Sequence, residues 1–110
     1  MVRDTIGSFE KLVLSAVHRL AGQGYAVSIV DEIEKRTSQA PNPGAVYATL
    51  DRLQKKGFIS SRLGEPTAER GGRRKRFYAI EAPGIRAMAA AQEMDQKVWS
   101  GGQEPAWGAI

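Results

Sequence analysis

The segment from residue 42 to residue 80 constrains the fold more than any other, because it contains the signals of a helix followed by a hairpin. Asn42 suits the N-cap of a helix, Pro43 its first position and Gly57 the residue just beyond its end. Between these signals, apolar residues recur at the spacing of a single helical face. They are Val46, Leu50 and Leu53. The sequence therefore predicts an amphipathic helix with one buried face.

The opposite face of this helix is small near its beginning and charged further along. Its residues are Gly44, Ala48, Asp51, Arg52 and Lys55. A helix with so small an N-terminal outer face can approach a DNA duplex closely. Thr49 lies beside the apolar stripe and is expected to be structural. Tyr47 flanks the stripe, and it either offers its hydroxyl to a phosphate or serves as a core aromatic with a solvated tip.

The residues after Gly57 are typical of a β-hairpin with a long basic loop. Phe58–Leu63 and Arg76–Ile80 are short runs with β-branched and aromatic residues. Residues 64–72 between them are too many for a tight turn, and they are rich in Gly. The return of the loop carries consecutive cations from Arg73 to Arg76. A helix followed by a hairpin with a basic loop is the order of a winged helix, in which the loop is the wing.

Positive charge is concentrated in this part of the chain. Residues 44–76 contain nine Lys or Arg and three acidic residues, a net charge of +6, whereas the whole chain has +4. A run of charge is often only a solvated face. A basic helix beside a basic loop, however, is the electrostatic footprint of a nucleic-acid-binding protein. We therefore favour nucleic-acid binding.

Two further helices are predicted upstream. The first runs from an N-cap at Ser8 to about Leu20, and the second from an N-cap at Ser28 to about Thr37. The apolar face of the first helix comprises Phe9, Leu12, Val13, Ala16, Val17 and Leu20. Leu14 and His18 are predicted on its far side, one turn apart. The second helix is acidic, and we expect it to brace the next helix rather than lie along phosphates.

A last helix is predicted from Ile85 to Trp99. Ala87, Ala91, Met94 and Val98 recur along it at the spacing of a coiled-coil seam. In so short a chain, the first helix is the one element left to pack against this stripe, and we favour a subunit interface over that packing. The predicted dimer interface comprises Leu14, Ala87, Ala91, Met94, Val98 and Trp99.

These elements predict a mainly helical α+β fold with a winged helix-turn-helix and a C-terminal dimerisation helix. The predicted units are a DNA-binding domain over residues 1–81, the dimerisation helix over 82–100 and a flexible tail over 101–110.

Several motifs resemble the PadR-like family of transcriptional regulators. They are the run Gly44–Leu53, the run Lys56–Ile59, the run Gly71–Tyr78 and the opening segments Gly7–Leu14 and Gly24–Val27. The resemblance covers roughly residues 7–88. It implies a homodimer formed through the first and last helices, and repression of a promoter relieved by a small ligand or another signal. In a chain with a single C-terminal helix, the effector pocket is expected at the dimer interface.

The chain departs from the family pattern at two places. The family usually has proline where this chain has Ala48, so the helix is expected to be straighter here. The family also usually has Leu-Thr-x-x-Gly after the second strand, where this chain reads Ile80–Gly84 and lacks the threonine that would cap the last helix.

The predicted DNA-binding residues lie on the helix and the wing. They are Asn42, Gly44, Tyr47, Ala48, Arg52, Lys55, Arg73, Arg74 and Lys75. Arg52 and Lys55 face outward toward a phosphate or a base edge, and arginine to guanine is the commonest specific contact. Arg73 and Arg74 would reach an adjacent backbone or a minor groove. Arg76 is expected to pair within the hairpin instead.

Composition argues against other classes of protein. The chain has no cysteine and one histidine, which argues against a thiolate zinc site, a cysteine nucleophile or any metal site. No Gly-rich phosphate loop or carboxylate cluster is present to carry catalysis, so neither an enzyme nor a cofactor is expected. No apolar run approaches the length of a membrane span, and a disulfide-free basic domain fits the cytoplasm. The expected partners are double-stranded DNA with a pseudo-palindromic operator, a second copy of the chain and a small-molecule effector at the dimer interface.

Two alternatives remain for the binding function. One is a winged-helix module that binds proteins rather than DNA. The other is an RNA or single-strand binder, which would need exposed aromatic residues on a sheet face.

Overall fold

The computed structural model describes residues 6–66 and 74–101, with side chains described as far as Val98. Its elements, in chain order, are α1 (Ser8–Arg19), α2 (Ala26–Thr37), α3 (Pro43–Lys55), β1 (Ile59–Leu63), β2 (Arg76–Ile80) and α4 (Ala82–Gly101). The strands pair antiparallel in a register that runs from Ile59 opposite Ile80 to Leu63 opposite Arg76. The predicted order of three helices, a hairpin and a last helix is confirmed. Within the predicted units, the wing loop over residues 67–73 and the tail over residues 102–110 lie outside the described residues.

Local signals explain where α3 begins and ends. The Asn42 side chain caps the helix, since its Oδ1 accepts a hydrogen bond from the Ala45 N–H at 3.1 Å. Pro43 occupies the first turn, and Gly57 follows the C-cap with a φ of +81°, which glycine adopts without strain. These three assignments from the sequence are confirmed.

The beginning of α2 differs from the prediction. The helix starts at Ala26, two residues earlier than the predicted cap at Ser28. Ser28 lies inside the first turn, and its Oγ accepts a hydrogen bond from the Tyr25 N–H at 2.9 Å. A serine at this position can stabilise a helix from within its first turn, and the sequence did not distinguish that role from an N-cap.

The core lies where α1, α2, α3 and the hairpin meet. Its members with no exposed surface are Val13, Leu14, Ala16, Val17, Ile29, Val46, Leu50 and Leu53. The prediction that Leu14 lies on an outer face of α1 is wrong. Because α1 packs against α2, α3, β2 and α4, its buried surface extends around more of the helix than one stripe. Leu12, which was predicted on the buried face, is instead partly exposed at the edge of that surface.

The first turns of α4 are anchored to the hairpin and the core. The Glu81 N–H donates to the Phe58 carbonyl at 2.9 Å, and a Cβ on Gly84 would lie only 2.2 Å from that carbonyl oxygen. Ala87 is 6% exposed and belongs to the core cluster, so the structure contradicts its assignment to a subunit-interface seam. The close approach at Gly84 carries the beginning of α4 onto the core, and this buries Ala87 within the chain.

The base of the wing is attached to the turn before α2. The Tyr78 N–H donates to the Gly24 carbonyl at 2.9 Å, and Tyr78 is buried. The rings of Tyr25 and Phe77 meet edge to face with their centroids 5.8 Å apart. This attachment fixes the direction in which the hairpin leaves the helices. Across the described residues, no helix is both long and apolar enough to cross a membrane.

Candidate nucleic-acid interface

The N-terminal half of α3 presents the small outer face that the sequence predicted. Gly44 and Ala48 are exposed, and so is Asn42, whose side-chain oxygen is engaged in the cap. A Cβ on Gly44 would lie 3.1 Å from the Asn42 Oδ1. A side chain at position 44 would therefore crowd the cap as well as any surface that approaches the helix.

A polar cleft separates α3 from β2. It is lined by Tyr47, Asp51, Gln54, Lys55, Arg76 and Tyr78. Tyr47 is 58% exposed, so the interpretation of this residue as a core aromatic is wrong. The Lys55 Nζ lies 3.1 Å from an Asp51 carboxylate oxygen, one helical turn away. The cleft therefore combines a phenol and a cation with a carboxylate that limits its positive potential.

Other residues of this region have the structural roles expected of them. Thr49 is buried, as predicted. The Arg76 guanidinium donates to the Ser61 hydroxyl at 3.0 Å, which confirms that Arg76 is paired within the hairpin. Burial raises the pKa of Tyr78, which keeps this phenol protonated at neutral pH.

Arg52 faces α1 rather than standing free on the outer face. Its Nε lies 3.4 Å from the Glu10 Oε2, and its Nη2 donates to the Thr49 hydroxyl at 3.1 Å. The Lys56 Nζ donates to the same Glu10 oxygen at 3.1 Å. Two cations of the helix are thus held by one carboxylate of α1.

Both carboxylate oxygens of Glu10 accept hydrogen bonds. Its other oxygen accepts the Gly7 N–H at 2.9 Å, at the beginning of α1. Burial by itself would raise the pKa of the Glu10 carboxyl, but the hydrogen bonds from Gly7, Lys56 and Arg52 outweigh burial and hold that pKa below its usual value. Glu10 is therefore ionised at neutral pH.

The described part of the wing carries exposed cations over aromatic rings. Arg74 and Lys75 are exposed, and the Lys75 Nζ lies 4.6 Å from the centre of the Tyr25 ring. On the neighbouring strand, the Arg62 guanidinium lies 5.0 Å from the centre of the Phe77 ring. Arg73, which the sequence assigned to the wing site, lies outside the described residues.

The residues predicted for a subunit interface divide between two environments. Leu14 and Ala87 belong to the core, whereas Met94 and Val98 are 60% and 62% exposed and Ala91 is half-buried. The side chain of Trp99 lies outside the described residues. An apolar groove of about 490 Å³ runs along α4. It is lined by Ile6, Pro83, Arg86, Ala87, Ala90, Ala91, Met94 and Asp95.

Sequence reasoning missed Glu10 and Lys56 as members of this region. A glutamate three residues after an N-cap is a recognisable capping signal, and the spacing from Gly7 to Glu10 fits it. Its pairing with a residue 42 positions away has no local signature. Within the described segments, no group of three or more His, Asp or Glu is placed to hold a metal ion.

Comparison with known proteins agrees with this architecture. The model of the transcriptional regulator PadR-like family matches residues 13–90. No curated protein matches the chain. Among solved structures, a PadR-like transcriptional regulator from Bacillus cereus is 18% identical with a TM-score of 0.68, and 84% of each chain is covered. A transcriptional regulator from Clostridium thermocellum is 23% identical with a TM-score of 0.71, covering 88% of this chain and 91% of that one.

A third similar structure is that of Bacillus subtilis PadR in complex with operator DNA. It is 16% identical with a TM-score of 0.63, covering 76% of this chain and 46% of that one. At these identities the solved structures establish the winged-helix fold, and the family match covers most of the sequence. The chain belongs to the PadR-like family of transcriptional regulators.

Proposed function

We propose that this protein is a sequence-specific DNA-binding regulator that binds a pseudo-palindromic operator as a homodimer and represses transcription in the cytoplasm. The observation that carries the proposal is the arrangement of α3 and the wing base. The exposed small face around Gly44 and Ala48 stands at the beginning of α3, and exposed cations at Arg74 and Lys75 stand on the adjoining hairpin. A helix that enters a major groove needs the first feature, and a contact to the neighbouring backbone needs the second.

The parts of this surface have different expected roles. Asn42, Gly44 and Ala48, at the beginning of α3, would read base edges. Tyr47 and Lys55, which line the polar cleft, would donate to a phosphate oxygen. Arg52 is held by Glu10 and Thr49, which leaves base reading to the residues at the beginning of α3.

A second copy of the chain is the partner that suits α4. Met94 and Val98 expose apolar surface along a helix whose earlier turns are packed in the core. One winged helix reads too few base pairs for useful specificity, whereas two related by a two-fold axis read half-sites roughly 10 bp apart or a multiple of that spacing. Trp99 would cap such an interface. The apolar groove along α4 is the proposed place of a small-molecule effector that relieves repression.

The alternative of a protein-binding module is less well supported. Such a module does not require a net charge of +6 over residues 44–76 in a chain whose total is +4. The fold is shared with Bacillus subtilis PadR, whose structure was determined with operator DNA.

Selection of bound duplexes from a random library tests the proposal most directly. We expect an enriched palindromic motif whose half-site spacing reports the geometry of the dimer. Binding should weaken steeply with salt, because each neutralised phosphate contributes a log–log slope of about −0.9. Changing Arg73 and Arg74 to Ala should flatten that slope on any duplex. Absence of an enriched motif, together with salt-independent binding, would favour the protein-binding alternative.

A further inference from the structure

One partly buried carboxylate joins α1 to the helix that is proposed to read DNA. The Glu10 side chain is 12% exposed and accepts from Gly7, Arg52 and Lys56 at 2.9, 3.4 and 3.1 Å. Arg52 lies in the last turn of α3 and Lys56, four residues later, is its C-cap, so both hold the same side of the end of that helix against α1.

The far end of α3 is sensitive to this anchor. From Lys56 back to Gly44 is about 18 Å at the rise of an α-helix. A tilt of about 5° at the anchored end therefore moves the reading end by roughly 1.6 Å. Functional groups need to be held within about 0.5 Å to act, so a small loss of anchoring removes base contacts.

The Glu10 carboxylate also reduces the positive charge that Arg52 and Lys56 present to DNA. With Glu10 ionised, two of the cations of α3 are neutralised in part within the chain. Without that charge, Arg52 and Lys56 become available to phosphates, whose binding carries no sequence information. Loss of Glu10 thus acts in opposite directions on specific and non-specific DNA binding.

We propose that Glu10 is a positioning residue for DNA recognition, which fixes the direction of α3 through Arg52 and Lys56 and withholds these two cations from phosphates. This role rests on the proposed function. Glu10 itself would touch no base, since it acts through α3.

Glu32 offers a matched control in the same chain. Its side chain is 10% exposed and accepts from the Nε of Arg19 at 2.8 Å and of Arg36 at 3.1 Å. It joins α1 to α2 and makes no ion pair with α3 among the described residues. Glu10→Gln and Glu32→Gln remove the same charge from side chains of similar exposure, but only the first removes the ion-pair partner of Arg52 and Lys56.

The experiment measures the affinity of both variants and the wild type for a duplex selected from the random library and for a scrambled duplex of equal length, across a salt series. For Glu10→Gln we expect affinity for the selected duplex to fall about tenfold or more. Affinity for the scrambled duplex should hold or rise, with a salt slope steeper by about 0.9 to 1.8, one increment for each freed cation. Glu32→Gln should leave the ratio of the two affinities unchanged, whatever its melting temperature.

Equal ratios in Glu10→Gln and Glu32→Gln would overturn the role of Glu10 and show it to be structural only. If Glu10→Gln does not fold, Lys56→Met decides, because it removes one of the two held cations and should lower the ratio in the same direction. An unchanged ratio in Lys56→Met would then refute the proposal. A wild type that discriminates no duplex would instead overturn the proposed function, and with it the basis of this role.

Discussion

The winged-helix unit and the last helix bury their apolar residues to different extents. In the winged-helix unit, Leu50 and Leu53 have no exposed surface, and α1 packs against α2, α3, β2 and α4. Among the described side chains of α4, Ala87 is buried and Met88 packs against the core, while Met94 and Val98 stay largely exposed. An apolar stripe in a sequence therefore does not reveal by itself whether it is covered by its own chain or by another.

The transition between the two environments lies within α4 itself. Its first turns complete the core through the close contact at Gly84 and the burial of Ala87. Further along, α4 lies beside α1, where the two helices are joined by the exposed Lys11–Asp95 ion pair and by the contact between the Ser15 hydroxyl and the Met88 sulfur. Substitutions in the core should lower the stability of the fold, whereas substitutions in the exposed part of α4 should weaken the proposed association.

The largest expected effect is on the core side. Leu50→Ala removes a fully buried side chain from the centre of α3 and should cost about 2–5 kcal/mol of unfolding free energy. Met94→Ala removes a side chain of similar volume from the exposed part of α4 and should cost under about 0.5 kcal/mol. Urea unfolding at low protein concentration, where association does not contribute, gives both values. Equal losses would contradict the division between the two regions.

The next largest effect is expected at Gly84, where the beginning of α4 contacts the hairpin. Gly84→Ala places a methyl group 2.2 Å from a backbone oxygen that no rotamer change can move, so α4 must shift away from the hairpin. Overpacking of this kind costs about 1–3 kcal/mol. Thermal unfolding should show a clear loss, whereas Ala90→Gly, further along the same helix, should cost no more than its propensity difference of about 1 kcal/mol. A Gly84→Ala variant as stable as the wild type would mean that α4 does not dock in this way.

A third prediction addresses the exposed part of α4. Met94→Asp introduces a charge into the proposed subunit interface and should weaken dimerisation at least about tenfold, equivalent to about 1.4 kcal/mol. The unfolding free energy of the monomer should hardly change, since the side chain is 60% exposed. Sedimentation velocity over a concentration series measures the association, and Glu93→Asp on the same helix is the control. A wild type that stays monomeric at all concentrations would remove the dimer from the proposal.

A smaller loss of stability is expected from removing the N-cap of α3. Asn42→Ala removes the cap that receives the Ala45 N–H and should cost about 1 kcal/mol. Asn42→Asp retains an oxygen acceptor and should keep most of the stability. If chemical denaturation separates neither variant from the wild type, the cap contributes nothing to the fold.

Much of this architecture is encoded locally, which is why the sequence was informative. The ends of α3 follow from Asn42, Pro43 and Gly57, whose effects depend on immediate neighbours alone. The predicted bounds of β2 also agree with the structure. The sheltered position of Thr49 and the outward direction of Gly44 and Ala48 follow from helical periodicity.

The features that the sequence did not predict depend on contacts between residues that are distant in the chain. Leu14 was assigned to an outer face because periodicity describes one stripe, whereas α1 is surrounded by four other elements. Ala87 was assigned to a seam because nothing in its spacing shows that Gly84 brings the helix against a carbonyl. The pairing of Glu10 with Arg52 and Lys56 joins residues that are more than 40 positions apart, and no periodicity connects them.

The two carboxylates of Glu10 and Glu32 give the last prediction, which concerns acid stability. Hydrogen bonds from Arg19 and Arg36 lower the pKa of Glu32, and at Glu10 the hydrogen bonds and cations outweigh burial and lower its pKa too, both from an ordinary value of 4.5. The unfolded chain therefore binds more protons than the folded chain below about that pH, so the unfolding free energy should fall as pH falls through the lowered values. Glu10→Gln and Glu32→Gln should each be less stable than the wild type at neutral pH and should each flatten the acid side of the curve. Asp95→Asn removes an exposed ion pair on α4, of a kind that contributes little to stability, and serves as the control for loss of a surface carboxylate. Unfolding midpoints in urea between pH 6 and pH 3 measure all four chains, and a curve flattened by Asp95→Asn but not by the two glutamine variants would place the acid-sensitive contacts on α4 instead.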